Sequence, residues 1–550
     1  MKRAAFLSTV LALSMARGEI FAQQPATPHD HTAHSHERLG TVSFPTSCPQ
    51  ALRPNFNRAV ALLHSFQYED SEKAFREIAA ADPACAMAYW GIAMTLYHPL
   101  WAAPSKDELN RGAAAVEKAR VIGGKTERER AYIEAIGKFY DGFDKVEHRT
   151  RAVAFEEAME QLHSKYRDDS EAAVFYALAL NSTALPTDKT FVNQKKAVTI
   201  LNKIFAGQPQ HPGVAHYIIH NFDTPQLAEL ALPAARSYSK IAPDSAHALH
   251  MPSHIFTRLG MWQDSIQSNT ASRDAARRYA QREHPGRTHW EELHAMDYMV
   301  YAYLQLGRDS EAASVLADLR KIDALGSLHF GAAYAFAAIP ARVALERRDW
   351  AAAAALAPHP SAFPWDKFAF SEAVVHYANA LGGARTNDVT RARAAIERLK
   401  QLHGKLVDAK DGYWSVQNEV LLKTASGWLA LAEGRKDEAL ALMASAAELE
   451  DSSEKHPVTP GAIQPARELL GEMLLQTDRP AEALAAFEAS LANNRDRFNG
   501  LYGAARAARI AGDGSKARRY YARLISMARG TKRMELAEAK SFLNGSAAPK

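Results

Sequence analysis

Cysteine is almost missing from this chain of 550 residues: Cys48 and Cys85 are the only two. They allow one disulfide or two free thiols, and no C-x-x-C redox motif. Alternating Val/Ile-rich stretches are scarce, which disfavours sheet. No later run of about 20 apolar residues follows the amino terminus, so no membrane span is expected. The formal net charge is only +4, with no basic stripe interleaved with aromatics, which excludes the usual footprint for nucleic acid. A Gly-rich phosphate loop, a G-x-S-x-G elbow and an EF-hand loop are all missing. A serine triad assembled in space leaves no such trace, and that class stays open.

What is present is alanine, in runs such as Ala351 to Ala355 and Ala444 to Ala447, within a composition 47% hydrophobic and 23% charged. That is a folded, helical composition. At this length the chain outgrows a single core unless it grows by repetition. Residues 1–22 read as a signal peptide: Lys2-Arg3, an apolar stretch from Ala4 to Ala16, and a small residue at Ala22. A periplasmic or secreted location follows, and with it a Cys48–Cys85 disulfide. Residues 23–45 form a flexible linker carrying His29, His31, His34 and His36, which serves either as a loose metal collector or as a solvated spacer. No linker composition interrupts residues 46–540. The expected divisions are repeats over 46–330, with a histidine-lined groove, and further repeats over 331–545.

The repeat is visible in spacing. Two H-x-x-x-H pairs, His216/His220 and His250/His254, lie 34 residues apart, member for member. Pro209 and Pro243 keep the same step, and Gly471, Ala483 and Phe487 recur as Ala505, Ala517 and Tyr521. Small residues there let helices approach while the aromatic fills the gap between units. Turn glycines are expected at Gly260, Gly307, Gly382 and Gly434. Stretches 101–170 and 385–425 fit the period poorly and should hold longer helices or loops. With the phrases Cys85-Ala-Met-Ala-Tyr-Trp-Gly, His211-Pro-Gly-Val-Ala-His-Tyr-Ile-Ile-His and Pro465-Ala-Arg-Glu-Leu-Leu-Gly, residues 50–530 resemble the tetratricopeptide repeat family. Within it they resemble a group of exported bacterial proteins of unestablished activity. The resemblance implies an all-α, right-handed α-solenoid of TPR-like helical hairpins, roughly ten to twelve of them. It also implies a concave groove lined by the first helix of each hairpin.

Counting ten and six residues back from the turn glycines selects the groove-facing positions. His250 and His254 stand there before Gly260, Asp297 and Tyr301 before Gly307, and Glu372 and His376 before Gly382. His216 and His220 occupy the corresponding places one repeat earlier, and His247 and His294 join one turn towards the amino end. An i, i+4 histidine pair chelates one ion from a single helix, and a pair on the next helix completes the set. His216, His220, His250, His254, His294, His247 and Asp297 are therefore the candidate metal ligands, with Tyr301, Glu372 and His376 as further groove residues. Nitrogen ligands supplemented by oxygen suit zinc, copper(II) or non-haem iron. The competing readings are a histidine-lined groove for a peptide, protein or small organic ligand, and plain packing. Pro252, between His250 and His254, threatens the geometry of the second pair. His64 and His98 are also 34 apart, in an aromatic setting with Tyr89, Trp90, Tyr97 and Trp101 that suits core packing or a ligand shelf. The expected function is ligand binding through a histidine-rich metal site. A metal-dependent oxidase or hydrolase and a metal-free interaction scaffold are the alternatives.

Overall fold

The computed structural model describes residues 37–100 and 103–545. The expected signal peptide, the four linker histidines and Trp101 lie outside the described residues. Twenty-six α-helices make up the described chain, and no β-strand is found among the described residues. Local signals explain many helix starts. Ser105 with Glu108 and Thr126 with Glu129 close capping boxes. Asp349, Asp411 and Asp513 each accept a backbone N–H of the first turn that follows.

Consecutive helices pack against each other, and alternate helices stack in turn: Trp290–Gln305 on Phe330–Glu346, that on Ala369–Arg385, and that on Gly412–Ala432. The fold is the all-α, TPR-like solenoid expected. Longer helices do appear where the period fails, at His148–Lys165, Val389–Asp408 and Gly412–Ala432. Gly260, Gly307 and Gly434 make turns at φ values of 67°, 67° and 83°. Gly382 does not. It lies inside helix Ala369–Arg385, where a Cβ would stand 2.3 Å from the Ala354 nitrogen, so it serves close helix approach, and the chain turns instead at Asn387. Phe487 fills the space beside Gly471 and Gly503, where added Cβ atoms would come within 2.8 and 2.2 Å of its ring.

Residues 38–45, expected as the end of a flexible linker, are packed: Leu39, Val42 and Phe44 are buried and the Thr41 N–H donates to the Gln210 carbonyl at 2.9 Å. Helix Arg53–His64 packs on Pro212–Asn221 as well as on its sequence neighbours, and Trp290–Gln305 packs on Phe498–Ile510. The winding thus brings distant repeats onto the inner face. Residues 455–464 pack against the helices Trp290–Gln305 and Phe330–Glu346. The fully buried Arg342 donates to the Gly461 and Ala462 carbonyls, both at 2.9 Å, and pairs with Asp297 at 2.8 Å. Tyr298 donates its hydroxyl to the Pro457 and Thr459 carbonyls at 3.1 Å.

Cys48 and Cys85 form a disulfide, with Cα atoms 5.1 Å apart and a sequence separation of 37. It ties the leading segment to the start of helix Ala86–Thr95. Closing a loop of that size stabilises by about 3–4 kcal/mol in the chain-entropy model. Unreduced denatured protein should show no reactive thiol, and Cys48→Ser with Cys85→Ser should lower the unfolding free energy by about that amount. Two reactive thiols before reduction would contradict the bond.

Candidate metal centre

Six of the seven candidate ligands converge. His216 and His220 come from helix Pro212–Asn221, His247 and His250 from Ala246–His250, His254 from Pro252–Arg258, and His294 from Trp290–Gln305. None is more than 8% exposed. They form two sets, His216/His220/His247 and His250/His254/His294, and within each set the ring nitrogens lie within 4.8 Å of one another. The sets adjoin: the His220 and His254 ring centres, one repeat apart in sequence, are 5.8 Å apart, and those of His247 and His250 are 6.2 Å apart.

Local structure explains the convergence. Pro212 occupies the first turn of its helix, and the His211 ring caps it by accepting the Val214 N–H. Gly213 leaves room for His64, since a Cβ there would lie 2.6 Å from its Nδ1. Pro252 does interrupt its helix, but Met251 keeps helical angles (φ −52°, ψ −36°) across the break. His250 and His254 therefore still face each other.

The decisive geometry is at that pair. His250 Nδ1 is 2.6 Å from the Asn269 side-chain oxygen, whose amide is oriented because its nitrogen donates to the Ser265 carbonyl at 2.8 Å. His254 Nδ1 is 2.8 Å from Asp223 Oδ2. Both acceptors demand a proton on Nδ1, which leaves a bare lone pair on each Nε2. Yet these two Nε2 atoms are 3.0 Å apart. A third proton would relieve the contact, but burial opposes it. Desolvation drives the His250 imidazole well below its ordinary range, helped by the neighbouring His294 and His254. It brings His254 down to about 4 in spite of Asp223. The two lone pairs face each other at a distance about 0.3 Å shorter than the roughly 3.3 Å ligand spacing of a tetrahedral ion with nitrogen bonds of about 2.0–2.1 Å.

The second set repeats the pattern more loosely. His216 donates through Nδ1 to the His64 carbonyl at 2.6 Å, so its Nε2 is again a lone pair, 3.1 Å from His247 Nε2. His247 Nδ1 stands 3.5 Å from Glu291, a carboxylate that can only accept, so this contact is favourable with the proton on His247 Nδ1 and its Nε2 bare towards His216. His220 Nε2 is buried with no hydrogen-bond partner. Burial holds the His216, His220 and His294 imidazoles far below their usual range. Phe66, against His216 at 4.4 Å, and Tyr298, against His250 at 4.6 Å, wall the centre with rings.

Asp297 joins neither set, because Arg342 holds it at 2.8 Å. Tyr301 accepts from the Arg497 guanidinium at 3.0 Å and packs under Arg342. On this helix the residues that reach the centre are His294 and Tyr298, three positions earlier. At about 100° per residue, a three-residue offset turns a side chain by about 60° off the counted face. Glu372 bonds Arg398 at 2.9 Å and lies near His376, both outside the two sets. Their register rested on Gly382, which is not a turn.

Sequence reasoning passed over the supporting shell. The Asp223 side chain is only 8% exposed, and desolvation alone would raise its carboxyl, but Lys455 at 2.7 Å, Arg258 at 2.8 Å and His254 hold it far below the usual carboxylate range. It is the anion that orients His254, and it lies three residues after His220, within reach of a local search. His64, Glu171 and His211 form a third buried group. Its bonds are complete: Glu171 accepts from His64 Nε2 at 2.8 Å and His211 Nε2 at 3.0 Å, while Tyr217 donates to His64 Nδ1 at 2.9 Å. This group supports His216 through the His64 carbonyl. His98 packs on Tyr68, with ring centres 4.6 Å apart.

No family model and no curated protein matches this chain. Among solved structures, the human IFIT1 dimer with m7Gppp-AAAA is similar at 11% identity and a TM-score of 0.34, covering 81% of this chain and 90% of that one. The APC/C hetero-tetramer Cut9–Hcn1 is similar at 11% identity and a TM-score of 0.28, covering 90% of this chain and 95% of that one. No helix among the described residues is long and apolar enough to cross a membrane.

The depressed imidazoles fix the acid response of metal-free protein. Unfolded histidines take up protons near pH 6.5, whereas the folded ones resist until well below. Above about pH 6.5 both states are neutral and these groups leave stability unchanged. As pH falls from about 6.5 towards 4 the unfolded state binds more protons, so stability declines. Urea midpoints measured across this range should drop with an uptake of more than one proton on unfolding. A flat profile down to pH 4 would contradict the buried neutral cluster.

Proposed function

We propose that this chain is an exported metal-binding α-solenoid whose six buried histidines hold transition-metal ions in two adjacent three-nitrogen sets. The observation that carries this reading is the His250–His254 contact, where two oriented imidazoles turn bare nitrogens on each other at 3.0 Å. A cation between them replaces lone-pair repulsion with two coordinate bonds. Asn269, Asp223, the His64 carbonyl and Glu291 are the outer acceptors that such ligands require to hold tautomer and ring orientation. Imidazole sets without thiolate suit zinc, copper(II) or non-haem iron. The disulfide supports an oxidising compartment outside the cytoplasm.

Three nitrogens per ion leave the fourth position of a tetrahedral site open, as in catalytic rather than structural zinc sites. This favours a second reading, metal-dependent oxidation or hydrolysis, with reactants small enough to enter a centre so thoroughly buried. An open peptide groove finds less support, because residues 455–464 occupy the inner face beside the histidines.

The test uses the full chain with His29, His31, His34 and His36 changed to Ser, so that the linker cannot contribute ions. Elemental analysis should find one to two equivalents of a transition metal. His250→Ala with His254→Ala should remove at least one equivalent while the far-ultraviolet helical signal persists. Affinity should hold as pH falls through 6.5 and weaken only towards pH 4, where protons begin to compete for the buried ring nitrogens. Metal content unchanged by the double substitution would refute the site.

A further inference from the structure

A partly open pocket of about 350 Å³ is lined chiefly by the helices Phe330–Glu346, Ala369–Arg385 and Gly412–Ala432 and by residues 450–464. That volume suits a small organic molecule. Aromatic rings dominate one side: Tyr334, Phe370, Tyr377 and Trp414 line it, with the Phe370 and Trp414 ring centres 3.9 Å apart. The charged groups on the other side are nearly all matched. Lys189 pairs with Glu454 at 2.8 Å, Arg258 and Lys455 pair with Asp223 at 2.8 and 2.7 Å, and Asp451 pairs with Arg467 at 2.6 Å.

Glu450 is the exception. Its carboxyl accepts one hydrogen bond, from the Ala466 N–H at 2.8 Å, and makes no ion pair among the described residues. Gln464 adds a second unmet acceptor, since its side-chain oxygen is buried and receives no hydrogen bond. The lining's own cations, Lys189, Arg258 and Lys455, are already paired, so Glu450 is left without a cation and the Gln464 oxygen without an N–H donor, beside four aromatic rings. An ammonium group supplies both: it ion-pairs with a carboxylate and is attracted to aromatic faces.

We propose that this cavity binds a small organic amine as its ammonium form, with the charge on Glu450 and the carbon skeleton against Phe370 and Trp414. The proposal does not rest on metal at the histidine centre. In the empty cavity, burial raises the Glu450 carboxyl to about 7. The groups that face it are Asp451 on its own helix and Glu468 on the next, which raise it further, Arg497, which lowers it, and the Tyr377 phenol. A bound ammonium favours the ionised carboxylate, so binding strengthens as pH rises through neutrality while the amine stays protonated.

Benzylamine and its neutral counterpart benzyl alcohol separate this from plain hydrophobic capture. Both are titrated into the full-length protein, followed by calorimetry and by tryptophan fluorescence. Benzylamine should bind one per chain, about tenfold or more tighter than the alcohol, and tighter at pH 8 than at pH 6. Glu450→Gln should abolish the preference for the amine and flatten its pH dependence. Equal binding of the two probes, no binding of either, or a preference that survives Glu450→Gln would each overturn the proposal. The comparison on unsubstituted protein decides the matter even if the variant folds poorly. Metal analysis of the same samples keeps a failure here distinct from a failure of the histidine centre.

Discussion

Six buried imidazoles lie side by side, and each of their nitrogens needs an acceptor, a donor or an ion. An unmet buried polar atom costs about 1–3 kcal/mol, and several together would outweigh much of a marginal fold. The surrounding structure is arranged around that demand. Asp223, Asn269 and the His64 carbonyl each take one Nδ1 proton. At the His250–His254 contact the inward nitrogens then turn lone pairs on each other, and the nearby Tyr298 hydroxyl, 3.4 Å from His254 Nε2, lies closer to the Pro457 and Thr459 carbonyls at 3.1 Å. Burial blocks the alternative of charging the rings.

The repeats alone would not bury these rings. A solenoid leaves its inner face open to solvent, and here the face is closed by the chain's own return. Arg342 and Arg497, both fully buried, act as the fasteners. Arg342 pairs with Asp297 and binds the carbonyls of Gly461 and Ala462, while Arg497 pairs with Glu346 and Glu468 and donates to Tyr301. Buried pairs of this kind contribute little net stability over apolar packing, but losing one partner costs about 3–5 kcal/mol. Their role here is positional: they hold residues 455–464 over Tyr298, and Lys455 onto Asp223. Lys455 and Arg258 also form part of the wall of the aromatic cavity, so that cavity and the histidine centre share one supporting ion group.

Much of the fold was legible. The 34-residue step between the two histidine pairs, the turn glycines at 260, 307 and 434, and the small-residue positions around Phe487 reflect local propensity and nearest-neighbour packing. Gly382 misled because a glycine suits a turn and a close helix contact equally well, and only the packed neighbour tells them apart. The same ambiguity carried Glu372 and His376 into the candidate strip. Asp297 and Tyr301 entered it because the turn-to-face distance was taken as constant, whereas a shift of three residues rotates the helix face.

The sequence by itself pointed to four histidines on one face, because an i, i+4 pair repeated at the period of the stack falls on equivalent faces of adjacent helices; that Pro252 leaves the second pair intact was decided by the fold. It also determined the two thiols available for the bond between Cys48 and Cys85. Only the tertiary structure decided that His247 and His294 complete two sets of three, and that residues 455–464 seal the face above them. It alone brought Asp223, Asn269 and Glu171 behind the rings. Those are contacts between segments with no shared period, set by how the solenoid winds back on itself, and no local pattern in the chain encodes that winding.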